Sequence, residues 1–111
     1  MSNESIEKSL HFINKQADEY AKAKSERVYL EEYRKTLKAI LMNEAESEGR
    51  KTGQERESYA YADSRYKELL LGLKEAIEIE EKLRWKLLSA KENINYQHQR
   101  NMMKMAEMRL R

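Results

Sequence analysis

Apolar residues recur at helical spacing along two long stretches of this chain, and a short segment containing two glycines separates the stretches. Ile6, Leu10, Ile13, Ala17 and Tyr20 follow one another at intervals of four, three, four and three, which places them on one helical face. Leu30, Tyr33, Leu37, Ile40 and Leu41 repeat the pattern after the polar stretch Lys22 to Arg27, where a shift of register and a bend are expected. Further on, Tyr66, Leu69, Leu73, Ala76, Ile77, Leu83, Leu87, Ala90 and Ile94 form one broad stripe at a period near 3.6, as a helix packed against a partner requires. Glu80 falls inside that stripe one turn before Arg84, so the two can neutralise each other or meet a polar group of the facing arm. Gly72 lies beside the stripe without a turn signal and reads as a point of close helix approach.

These patterns predict an all-α fold, a long antiparallel helical hairpin with a first arm over about 5–47, a connection over about 48–63 and a second arm over about 64–110. No proline occurs in the 111 residues, and Gly49 and Gly53 lie together in the connection, so each arm can run uninterrupted. Ser2 or Ser5 is placed to cap the first arm, Glu48-Gly49 to stop it, and Asp63 or Ser64 to cap the second. Gln54 to Ala60 has the composition of a short connecting helix. Each arm would span about 60 to 70 Å, so the two match in length within one domain. A single hairpin buries only a seam. Leu71 and Trp85 lie opposite the main stripe and Leu88 on its flank, which predicts a homo-oligomeric helical bundle assembled through these residues.

Composition narrows the chemistry. Charged residues make up 38% of the chain, but 22 Lys and Arg nearly balance 20 Asp and Glu, so any nucleic-acid contact must come from local patches. With no cysteine, disulfides, thiol catalysis and thiolate metal sites are excluded, in keeping with a reducing cytoplasm. No apolar run suggests a signal peptide or a membrane span. His11 and His98 lack neighbours at the spacing of a helical metal pair, and neither a nucleophile elbow nor a glycine-rich phosphate loop is present. The expectation is a protein without catalytic residues, metal, cofactor or small-molecule substrate.

Two surfaces remain as candidates. In the connection, Arg50, Lys51, Arg56 and Arg65 interleave with Tyr59, Tyr61 and Tyr66, offering cations to phosphates and rings to unstacked bases, although Glu55, Glu57 and Asp63 dilute the charge. Packing of the turn onto the arms is the alternative role for Tyr59 and Tyr61. At the other end, Met102, Met103, Met105 and Met108 are four of the six methionines and fit a pliable docking segment for another protein or a neighbouring subunit. Residues 93–111 carry four Arg and Lys against Glu107, a charge suited either to phosphates or to the helix macrodipole.

The strings AKAKSERVYLEEYRKTLKAILMNEAE, GQERESYAYADSRYKELLLGL and EKLRWKLLSAKENI resemble a family of small helical proteins of tailed bacteriophages, often encoded near single-strand annealing or recombination genes. The resemblance covers roughly Ala21 to Ile94, with Glu26-Arg27-Val28-Tyr29-Leu30-Glu31-Glu32, Glu55-Arg56-Glu57-Ser58-Tyr59-Ala60 and Leu83-Arg84-Trp85 as its specific elements. In layout the chain is also similar to the UvsY-type recombination mediators of tailed phages, which oligomerise and hold single-stranded DNA. The resemblance implies a non-enzymatic accessory of DNA recombination or replication that contacts single-stranded DNA or its binding proteins, through the basic connection, with Trp85 in subunit assembly. The rival expectation is an assembly or interaction protein, whether structural, chaperone-like or an inhibitor of a host protein, whose methionine-rich end docks a partner without DNA.

Overall fold

A computed structural model describes residues 2–110, without the side chain of Ser2. Three helices and no strand occur among the described residues: α1 over Ser2–Ser47, α2 over Gly53–Ala62 and α3 over Ser64–Leu110. The chain packs as two compact units, a central one of Ala23–Ile79 and a terminal one joining Met1–Lys22 to Glu80–Arg111. Each contains a part of α1 running antiparallel to a part of α3.

The central unit holds the hydrophobic core. Leu37 and Leu41 of α1, Ala60 of α2 and Tyr66 of α3 cluster together, with Met42 and Leu69 packed against them. Ala45, Leu73 and Ala76 are buried as well. Inward positions on α3, Tyr66, Leu69, Leu73 and Ala76, and on α1, Ala23, Arg27, Leu30, Leu37 and Leu41, follow the three-and-four spacing of a helix pair wound at 3.5 residues per turn, with one position of the α1 series, Arg34, exposed.

α1 runs unbroken through the polar stretch Lys22 to Arg27, contrary to the shift of register read from sequence. Ala23 and Arg27 fill the inward positions there, and the half-buried Arg27 guanidinium is neutralised by Glu31 one turn on, at 3.0 Å. The same spacing turns Tyr33 and Ile40 outward, 37% and 42% exposed, where an inward face was expected. Leu10 and Ile77 also lie on the exposed side, at 47% and 43%.

The turns follow from local chemistry. α1 ends in a Schellman motif: Gly49 takes φ +91°, the Arg50 N–H donates to the Ala45 carbonyl at 3.0 Å and the Gly49 N–H to that of Glu46 at 3.0 Å. Thr52 caps α2, its Oγ1 accepting from the Glu55 N–H at 3.1 Å, while Glu55 accepts from the Lys51 N–H. Asp63 closes α2 and caps α3, its Oδ1 accepting from the Arg65 N–H at 2.8 Å. Ser5 does not cap α1; it lies one turn inside the helix and accepts a hydrogen bond from Asn93. The side chain of Ser2, on which its expected cap depends, lies outside what is described, as does Arg111.

Gly72 does not mark a close approach. A Cβ built there meets nothing within 4 Å. Gly72→Ala is therefore expected to raise stability by about 1 kcal/mol through helix propensity alone. A lowered urea midpoint would show that the facing helix does need the glycine.

Candidate interaction surfaces

The basic connection belongs to the central unit, and its arginines are largely engaged within the fold. Arg65 leaves the first turn of α3 with a forked pair of bonds to Glu44 of α1, at 3.1 and 2.6 Å, and two further bonds to Asp63, both at 3.0 Å. Arg56 donates from Nε to the Arg50 carbonyl at 3.0 Å and approaches Glu46 at 3.9 Å. From residue 44 to 65 the carboxylates Glu44, Glu46, Glu48, Glu55, Glu57 and Asp63 outnumber Arg50, Lys51, Arg56 and Arg65, so the region is net acidic. Only Arg50 and Lys51 of the four cations have no side-chain carboxylate partner among the described residues.

The tyrosines divide between packing and surface. Tyr66 is buried, and Tyr61 meets it edge-on at 5.3 Å between ring centroids while Lys38 stands 5.0 Å over the Tyr61 ring. Lys38 also reaches Glu57 at 3.3 Å, which fastens α2 to α1. Tyr59 is half-buried, and desolvation together with the Glu48 carboxylate pushes its phenol pKa up. It lines an open groove of about 810 Å³ with Arg50, Thr52, Gln54, Ser58 and Asp63.

Arg65 holds both of its carboxylates below their ordinary range, Asp63 through side-chain and backbone donors and Glu44 through the side chain. Carboxylates with a lowered folded pKa stabilise in full above about pH 5 and lose that contribution as pH falls through the folded values. Stability is therefore expected to decline on acidification in part through this cluster. In Arg65→Met the acid limb should be shallower; an unchanged limb would show that the cluster does not couple to folding.

The terminal unit is tied by polar groups. Asn93 of α3 donates to Ser5 and Ser9 of α1 at 3.0 and 2.8 Å, Gln97 donates to Asn93 at 3.5 Å, and Asn101 donates to Asn3 at 3.2 Å. Such contacts fix the register of a helix pair more than they stabilise it. Arg84 bonds Glu81 through two nitrogens at 2.7 and 2.9 Å, the expected Glu80 contributing more weakly to its charge environment. Its guanidinium lies 4.8 Å over the Trp85 ring, so the tryptophan is 58% exposed but carries a cation on one face.

Beyond the Asn101–Asn3 contact α3 continues for more than two turns, and there Met102, Met103, Met105 and Met108 are all more than half exposed. Arg100 stands 5.9 Å over Tyr96 just before them. Of the assembly residues expected from sequence, Leu71 is 66% exposed in the central unit, and Leu88, in the terminal unit, is exposed less. His11 and His98 are both exposed, and no cluster of three potential metal ligands occurs among the described residues. No described helix is long and apolar enough to cross a membrane.

One surface escaped the sequence reading. On the outer side of α1 in the central unit, Tyr29 and Tyr33 stack at 6.0 Å with ring planes 11° apart, and Ile40 continues their line two turns on. Their spacing of four and seven was the available signal, but Tyr33 and Ile40 also fitted the inward face. No protein-family model, curated protein or solved structure matches this chain.

Proposed function

We propose that this chain acts by binding another polypeptide rather than by catalysis, as an assembly or adaptor protein of the tailed-phage type its sequence strings resemble. The observation that carries the reading is the imbalance of apolar surface. Leu37, Leu41, Tyr66 and Leu73 are the large apolar side chains buried in the described residues, against 18 that are exposed. Scattered exposure is ordinary in a folded chain, but four methionines gathered on one helix end form a pliable surface suited to docking a partner of irregular shape. Capture from phage-infected host lysate, with and without residues 102–111, tests the reading. A protein retained by the full chain and lost on truncation is the expected result; identical captures would remove the methionine segment from the proposal.

A second reading, contact with single-stranded DNA in recombination or replication, is favoured by Arg50, which lines the Tyr59 groove, and Lys51 next to it, whose side chains have no carboxylate partner among the described residues. It predicts binding of a labelled single strand that weakens steeply with salt and is lost in the Arg50→Ala, Lys51→Ala double variant. Absence of binding at low salt would sink it.

A further inference from the structure

The terminal unit lacks what holds the central unit together. None of its described apolar side chains is buried; Ser9 is, while Ile6, Ile13, Tyr20, Leu83, Leu87 and Ile94 reach only half-burial. Ordering a backbone costs about 1–2 kcal/mol per residue, and two helices joined by so thin a seam need a further layer against them. Area points the same way. The chain exposes 8694 Å², roughly 2200 Å² more than the ~6500 Å² expected of a folded monomer of 13.3 kDa. A large obligate interface removes about 1000–2500 Å² from each chain.

We propose that a second copy of this chain covers the groove that Ile13, Ala17 and Tyr20 of α1 form with Leu87 and Leu88 of α3, in an antiparallel two-fold pairing. The groove lies wholly within the terminal unit, has a volume of about 370 Å³ and carries Leu88, 37% exposed, on its lip. Charge favours a copy over an oppositely charged stranger. Arg84 on the rim is already held by Glu81, which leaves Lys91 as the rim cation without a carboxylate partner among the described residues. Glu81 and Lys91 lie on α3 at equal distances either side of Lys86, about 7.5 Å along the helix in each direction. A two-fold axis crossing α3 at that level sets Lys91 of each copy at the height of the other's Glu81, an exposed carboxylate whose oxygens can accept from Lys91 as well as from Arg84, and brings each Leu88 to the level of the facing groove.

This surface is separate from the methionine segment, so its failure leaves the docking reading standing. Sedimentation equilibrium of the full chain at micromolar concentration is expected to give twice the chain mass. Leu88→Glu should return it to a monomer. Lys91→Glu, an exposed change that leaves the helix content by circular dichroism intact, should weaken the dimer about tenfold or more by placing like charges together. Adding Glu81→Lys to Lys91→Glu should restore it. A monomeric wild-type chain would overturn the proposal and leave the groove to a different partner. So would an oligomer indifferent to both single variants.

Discussion

Leu41→Ala is expected to destabilise this protein by about 2–5 kcal/mol, measured by urea unfolding at fixed protein concentration. Leu41 is the largest side chain that is fully buried, at 0% exposure, and it sits where all three helices meet, among Leu37, Ala60 and Tyr66. Truncation removes its transfer free energy and leaves a cavity that the small Ala45 and Ala60 nearby in the core do not fill. A domain of ordinary stability, about 5–15 kcal/mol, loses much of its margin to such a change. Leu71→Ala, at a position 66% exposed, should by contrast stay within about 0.5 kcal/mol of wild type. Equal effects at the two positions would mean that the central core is not where the structure puts it.

That core was only partly legible in the sequence. The order helix, connection, helix followed from punctuation: the absence of proline, the stop at Gly49 and the cap at Asp63, whereas the Thr52 cap of α2 came only from the structure. On α3 the inward stripe was legible because its apolar residues are nearly alone on their face, Ile77 being the one that turned out exposed. On α1 two stripes compete. Leu37 and Leu41 point inward while Tyr33 and Ile40, four and one residues before them, point out. A period of 3.6 admits both sets, and only the pairing with α3 selects one. Polar inward residues such as Ser9, Gln16 and Arg27 disguised the seam further, since apolar periodicity cannot find a seam partly made of hydrogen bonds and an ion pair.

The candidate sites were legible to a similar degree, for a different reason. Composition counted the cations of the connection, but their availability depends on partners distant in sequence. Glu44 lies 21 residues before Arg65 and meets it only because α1 and α3 pack antiparallel. Glu57 likewise reaches Lys38 across 19 residues. Local spacing signals pairs three or four residues apart and says nothing of these; even for Arg84 it pointed to Glu80, four residues before, where Glu81, three before, makes the bonds. The methionine segment was found by composition, four methionines within seven residues, and that count carries no information on burial; the exposure of all four comes from the structure.

Gly49 and Gly53, four residues apart, are expected to respond to the same substitution with opposite sign. Gly49 holds φ +91°, a region that costs an L-residue roughly 1–2 kcal/mol, and its N–H and that of Arg50 close the end of α1. Gly49→Ala should therefore destabilise by about that amount, although a Cβ would meet no neighbour within 4 Å. The cost is purely of backbone conformation, so a larger side chain there should cost no less. Gly53 is the first residue of α2, its backbone is helical, and a Cβ there also meets open space. Gly53→Ala removes conformational freedom from the unfolded chain at no steric cost and should stabilise by about 0.4–1 kcal/mol. Parallel urea titrations compare the two. If both variants lost stability, α2 would not begin at Gly53, and the anchoring of the connection by Thr52 and Glu55 would have to be redrawn.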